Sequence, residues 1–300
     1  MATRRRYDFG LALSGGGVRG AVHLGILKVL KQNGIFPDIL SGTSAGSIAA
    51  AFFASGKDID EYLEELKKLK VYQLLDPTFT PAYILMLIYY FWTHRPMVMW
   101  SFPDGLFKGE KIEGYLDRLF DGKTFEDVDL PISVVSADIN TGETVVFCPK
   151  KNVPYREIPN TVFLTGYRLS TAVRASMSLP GIFVPRQVGG HRLVDGGIKN
   201  NIPVDILHHQ GARKIVGVDL GVTKGRAKAD SLVEILMASV DIMGDELSNY
   251  IKKNYPGLYI YPDLKGVGYK DFARIPEFVK YGEEVGKKAL PDIKRFLVAG

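Results

Sequence analysis

The chain opens on a short apolar run, Phe9-Gly10-Leu11-Ala12-Leu13, with the length of a buried strand. The glycine-rich stretch Ser14 to Gly20 follows, and Ala21 to Lys31 then has the length and apolar spacing of a helix, which Asn33-Gly34 stops. Pro37 opens a second strand through Ile39-Leu40 that runs into Ser41-Gly42-Thr43-Ser44-Ala45-Gly46-Ser47, with a further helix beginning at Ser47. Strand, glycine loop, helix, strand, sharp turn, helix is how a parallel α/β sheet with right-handed crossovers begins. Amphipathic patterns predict helices over Asp58 to Lys70 and Gly109 to Phe120. Ile132 to Ala137 and Thr144 to Phe147 read as strands joined by the turn residues from Asp138 to Glu143. A short helix over Leu169 to Ser178 leads into a rigid apolar loop, Leu179 to Pro185. Arg192 to Gly197 is a short strand ending in an acid and two glycines, and Lys214 to Leu220 is a buried strand. Two last helices, near 230–250 and 276–297, flank a strand at Leu258 to Ile260. No internal repeat and no Pro/Gly-rich linker divides the chain, so one domain over 1–300 is expected, carrying an apolar insertion at about 76–108.

That insertion holds the most unusual pattern. Ala82 to Trp92 carries no charge, and after Thr93-His94-Arg95-Pro96 the apolar run resumes at Met97. Eleven residues are too few for a bilayer span, which needs about 20. A core helix is one reading. A lipid-facing cap or lid is the other, because two tryptophans and three tyrosines beside His94-Arg95 match an interfacial segment. The basic tip Arg4-Arg5-Arg6 lacks a following apolar region of signal-peptide length. Composition is that of a globular protein, at 46% hydrophobic and 24% charged, and the net charge of +5 favours anionic partners only weakly. The single cysteine, Cys148, excludes an intrachain disulfide framework and a cysteine zinc site. A cytoplasmic protein is expected, with peripheral contact at the inner membrane surface through Ala82–Trp100 and Arg4–Arg6, and without a nucleic-acid partner.

The chemistry centres on Ser44. Gly42 and Gly46 flank it at the spacing of a nucleophile elbow, which presents a serine hydroxyl at the N-terminus of a helix, where the dipole favours developing negative charge. The loop before the first helix has two readings. Gly15, Gly17 and Gly20 satisfy a dinucleotide fingerprint, but the acid that should end the second strand is missing, since Asp38 begins it. Alternatively, the amides from Gly15 through Gly16, Gly17, Val18, Arg19 and Gly20 form an oxyanion hole, with Arg19 adding positive charge. A serine needs a base. His208 or His209 follows Ser44 and Asp195 in the order of a hydrolase triad, but both sit where a helix ends. Asp195 is the better base: it ends a strand before Gly196-Gly197, and burial raises a carboxylate's pKa into a useful range. No histidine and carboxylate cluster has metal-ligand spacing, and no cofactor is expected.

Taken together, Gly15 to Gly20, Gly42 to Gly46, the block Ala175-Ser176-Met177-Ser178-Leu179-Pro180-Gly181-Ile182-Phe183 and Asp195-Gly196-Gly197 resemble the patatin-like phospholipases, in that family's order, over about residues 8 to 220. The resemblance implies a mostly parallel α/β sheet with helices on both faces, here with a hydrophobic cap or lid inserted. It also implies a Ser-Asp dyad without a catalytic histidine, Ser44 as nucleophile and Asp195 as proton acceptor, with the glycine loop as oxyanion hole. The expected activity is therefore hydrolysis of lipid esters through an acyl-enzyme. A catalytically silent lipid-binding or regulatory protein, or a dinucleotide-binding oxidoreductase, is the alternative.

Overall fold

The computed structural model describes residues 7–93, 103–221, 231–264 and 272–299. The Arg4–Arg6 tip and the His94 to Trp100 part of the apolar insertion lie outside the described residues.

β1 (Tyr7–Leu13) and β2 (Ile39–Thr43) pair in parallel, joined through α1 (Ala21–Gln32). β4 (Ile132–Asp138) lies beside β2, also in parallel, and β10 (Ala212–Val218) and β11 (Leu258–Ile260) extend the sheet on the other side of β1. β5 (Thr144–Phe147) returns antiparallel to β4, and β6 (Thr161–Leu164) completes the order β11-β10-β1-β2-β4-β5-β6. The sheet is thus mostly parallel, with an antiparallel turn at one end.

Burial is continuous along β1 from Phe9 to Leu13, as a sheet covered on both faces requires, and alternate side chains enter opposite layers. Phe9, Leu11 and Leu13 join the core built by α1, α2 (Ala45–Ala54) and α9 (Ile275–Val298). Ala12 faces the opposite layer, where α7 (Val204–His209) contributes Val204 and Leu207, and α8 (Leu232–Asn254) contributes Ile251. α3 (Ile59–Lys68), α5 (Glu110–Leu119) and α6 (Leu169–Ser176) complete the described helices outside the insertion.

The feature that matters most lies on the edge of β4. β2 pairs with β4 only as far as Thr43 opposite Val135. At the next rung β9 (His191–Asp195) takes over the same edge, antiparallel, with Asp195 opposite Ser136. Two strands from opposite halves of the chain therefore share one edge end to end.

The insertion is closed at its base. The Asp76 carboxylate accepts the amides of Gly109, Glu110 and Lys111, and Thr78 N–H donates to Leu106 O. Between these ends stands α4 (Pro81–Trp92), capped by Thr80. It is not a core helix: Leu85, Tyr89, Phe91 and Trp92 are all well exposed. β3 (Gly105–Phe107) then pairs with β7 (Gly181–Phe183), and β8 (Arg186–Val188) pairs with β9. The sequence pattern over 179–185 predicts a loop, and the structure corrects this to a strand at Gly181–Phe183. This strand exists through its pairing with β3 in a distant part of the chain, which the local pattern does not record.

Candidate active site

Ser44 sits where β2 turns into α2. Its backbone adopts φ 51° and ψ −120°, a conformation that L residues other than glycine seldom hold. Surrounding contacts impose it. Ser44 N–H donates to Ser176 Oγ at 2.8 Å, and that hydroxyl donates to Val135 O at 2.6 Å. Ser47 Oγ donates to Ser44 O at 2.6 Å, and Thr43 Oγ1 to Asn200 O at 2.8 Å. Neither flanking glycine tolerates a side chain. A Cβ on Gly46 would overlap the Leu13 carbonyl, and one on Gly42 would overlap the carbonyl of Gly46. Strained backbone of this kind costs roughly 1–3 kcal/mol. Ser44→Gly is therefore expected to be about 1 kcal/mol more stable than Ser44→Ala in urea unfolding, since both lack the hydroxyl and only alanine keeps the Cβ. Equal stabilities would show that the turn is not strained.

Asp195 is buried at the end of β9. Its N–H donates to Ser178 O at 2.8 Å, and its Oδ1 accepts Gly197 N–H at 2.8 Å. The buried Oδ2 has no fully formed hydrogen bond, and the Ser44 hydroxyl lies beside this carboxylate. In a resting site such a bond is often long and tightens only around substrate. Burial raises the Asp195 pKa from 3.8 to about 6, against the opposing pull of the Ser44 and Gly197 hydrogen bonds, and the Asp241 charge adds to the rise.

The glycine loop is held from several sides. His23 Nε2 donates to Ser14 O at 2.8 Å, and its burial lowers its pKa to about 4, so the ring is neutral. Ser14 Oγ donates to Gly15 O and accepts Leu220 N–H, both at 3.0 Å. Gly15 N–H is engaged by Asn201 O at 3.1 Å. The amides of Gly16, Gly17 and Val18 bond to no acceptor among the described residues. Gly20 packs so tightly on Ala45 that a Cβ there would overlap it. Arg19 is turned away behind the loop. Its guanidinium bonds Gly16 O at 3.1 Å and Gly221 O at 3.2 Å, and pairs with Asp241 on α8 at 3.0 Å.

A cavity of about 20 Å³ lies between these parts, room for roughly one water. Gly15, Gly16, Gly17, Ser44 and Asp195 all line it, so these expected site residues do come together. Val18, Arg19 and Gly20 do not line it. Asn201, Leu179 and the α8 residues Met237, Val240 and Asp241 do, and sequence reasoning missed them. One signal was present in the spacing of Met237, Val240, Asp241, Gly244 and Ser248, which puts a carboxylate, a glycine and a hydroxyl on one helix face with two apolar side chains.

The alternatives find less support. Among the described residues no histidine lines this cavity. His209 Nε2 meets the Tyr255 hydroxyl at 3.2 Å, and His191 Nδ1 meets Asp138 at 2.8 Å. Asp38 accepts the amides of Asp8 and Phe9, which fixes it at the end of β1 and β2 away from the glycine loop. It is in no position to hold a ribose there. Among the described residues no group of three or more His, Cys, Asp or Glu could hold a metal ion, and no helix is long and apolar enough to cross a membrane.

Comparison with known proteins gives a consistent picture. The family described as patatin-like phospholipase matches residues 11–208. The patatin-like phospholipase domain-containing protein ZK370.4 of Caenorhabditis elegans is 32% identical over 214 residues, covering 71% of this chain and 13% of that protein. An uncharacterized NTE family protein of Mycobacterium tuberculosis is 24% identical over 317 residues, covering 96% of this chain and 48% of its own length. The crystal structure of VipD from Legionella pneumophila aligns with 97% of this chain and 68% of its own, at 17% identity and a TM-score of 0.45. The chain spans less than half the length of the two curated relatives.

Proposed function

Because the chain belongs to the patatin-like phospholipase family, we propose that it is a serine acyl hydrolase acting on carboxylic esters of lipids through Ser44 and Asp195. The observation that carries this reading is the shared edge of β4, where Thr43 and Asp195 occupy consecutive rungs and set the serine against the carboxylate. A carboxylate with a pKa near 6 is ionised at neutral pH yet basic enough to accept a proton, so the dyad works without an imidazole.

Ser44 Oγ attacks the ester carbonyl while its proton passes to Asp195. The carbonyl oxygen becomes an oxyanion, stabilised by the amides of Gly16 and Gly17, two residues that line the cavity and whose N–H groups meet no acceptor among the described residues, and by the N-terminus of α2. Collapse breaks the C–O bond to the alcohol, which leaves with the proton from Asp195. Water then enters, Asp195 takes one of its protons, and hydroxide attack on the acyl-serine releases the fatty acid. Asp195 returns the proton to Ser44.

A fluorophosphonate probe tests the proposal directly. It is expected to modify Ser44, identified by mass spectrometry of the peptide containing Gly42 to Gly46. The labelling rate should rise with pH around a midpoint near 6, as Asp195 loses its proton. Labelling elsewhere, or none, would sink the reading. Vesicle binding without labelling would favour a silent lipid-binding protein.

A further inference from the structure

α8 carries apolar residues on both faces. Its inner face sets small and polar groups beside the apolar Met237, Val240 and Ile251: Asp241 pairs with Arg19, and Gly244 lies against Gly197 O and the Asn201 side chain, close enough that a Cβ would sit about 3.1 Å from that oxygen. Its outer face carries Ile235, Leu236, Ile242, Met243, Leu247 and Tyr250, each between 36% and 68% exposed. Their spacing puts them on one side of the helix. Helices of soluble proteins keep their apolar residues chiefly on the covered face, so six exposed ones along the other side mark an interaction surface.

The stripe is continuous with the cavity at Ser44. Met237 and Val240 of the same helix line that cavity together with Leu179. Leu236 reaches over Gly181 of β7, whose partner β3 anchors the base of the exposed α4. Val240 stands one turn from both Leu236 and Met243 along the helix, so apolar surface runs from the wall of the cavity to the outer stripe.

We infer that the outer face of α8 docks this protein on a phospholipid bilayer, with Ile242 and Met243 at the centre of the contact. The inference rests on the lipid-ester reading for its choice of occupant, but its test does not depend on catalysis. One acid, Glu246, stands among the apolar residues of the stripe, with Lys253 of opposite sign two turns further on, so the face carries no net charge and the contact is chiefly apolar and independent of lipid charge. Arg4 to Arg6 would act in the opposite way, through anionic lipid.

The experiment uses the whole 300-residue chain as its Ser44→Ala variant, which on the proposed reading does not turn over lipid, and phosphatidylcholine vesicles in a sedimentation assay. Partitioning is expected at 0.1 M salt and should change little at 0.5 M. Adding Ile242→Glu and Met243→Glu should reduce it at least about tenfold. Both positions are exposed, and circular dichroism would confirm the fold. In the background with Ser44 intact, the same pair should leave hydrolysis of a short soluble ester unchanged. Absence of partitioning, partitioning unaffected by the two glutamates, or binding that vanishes at high salt would each overturn the proposal. So would a dimer in sedimentation equilibrium that the two glutamates dissociate, since a second copy would then cover the stripe. Failure of Ser44 labelling, by contrast, would remove the catalytic reading and leave the docking result standing.

Discussion

Asp195→Asn is expected to lose at least about 10³-fold in ester hydrolysis and yet to be the more stable protein at neutral pH. The activity loss follows because an amide cannot accept the Ser44 proton. The stability gain follows from burial. A carboxyl whose pKa stands near 6 in the fold and 3.8 outside it binds its proton more tightly when folded. Its contribution is favourable below pH 3.8 and is lost as pH rises through 6, leaving a buried charge that costs about 3 kcal/mol above that range. Asparagine carries no charge at any pH. It keeps an oxygen for Gly197 N–H and offers a donor to Ser44 Oγ. The gain should thus reach roughly 2–3 kcal/mol at pH 7.5 and vanish near pH 4, as measured by urea unfolding. His23 supplies an internal control of opposite sign. Its pKa is lowered to about 4, so its contribution is present above pH 6.5 and lost as pH falls through 4. In the parent protein the two slopes oppose each other. In Asp195→Asn the histidine slope stands alone, and the variant should lose stability more steeply on acidification. A variant that retains a tenth of the activity would eliminate Asp195 as the base.

Arg174→Met should be the most destabilising single substitution near the site, by about 3–5 kcal/mol. Arg174 is buried in α6, and its guanidinium is held by neutral groups. Nε donates to Gly109 O at 3.0 Å, and Nη2 donates to Lys108 O at 2.6 Å and Val184 O at 3.0 Å; Nη1 bonds Ser178 Oγ, and the Phe183 ring lies 5.1 Å away. Burial lowers its pKa only to about 10, so it remains charged at neutral pH. Methionine fills much of the volume but leaves three carbonyls and a hydroxyl without this donor in a buried site. The guanidinium ties the closing strand of the insertion to β7 and to Ser178, whose carbonyl receives the Asp195 amide. Activity of the folded fraction should fall as well. A change below 1 kcal/mol in urea unfolding would show that packing alone suffices there.

The Ser44 half of the candidate site was legible in the sequence because every link is local. A run of apolar residues, three glycines that allow close approach, and a serine between a strand and a helix fall within 40 residues of one another. Asp195 was legible for the same reason, through the two glycines after it. What stayed hidden depends on contacts between distant residues. Arg19 looked like a charge for the oxyanion, but its guanidinium meets Asp241, 222 positions later. Asn201 carries no recognisable chemistry until its carbonyl is found holding the amide of Gly15. The apolar run at 82–92 has no polar face, so the pattern could not say whether α4 was covered; the structure leaves it exposed. Strands β3 and β7 form by pairing with each other across distant parts of the chain, a contact that no local pattern records.

The divided edge of β4 also bears on how the protein is made. As the chain leaves the ribosome, β1, β2 and the turn holding Ser44 emerge first, and β4 can join them before β9 has been synthesised. At that stage the serine has its bend but not the carboxylate that the proposed dyad requires. On that reading, nascent chains and truncated products ending before Asp195 carry the serine in an inert form, and competence arrives with the last rung laid along β4.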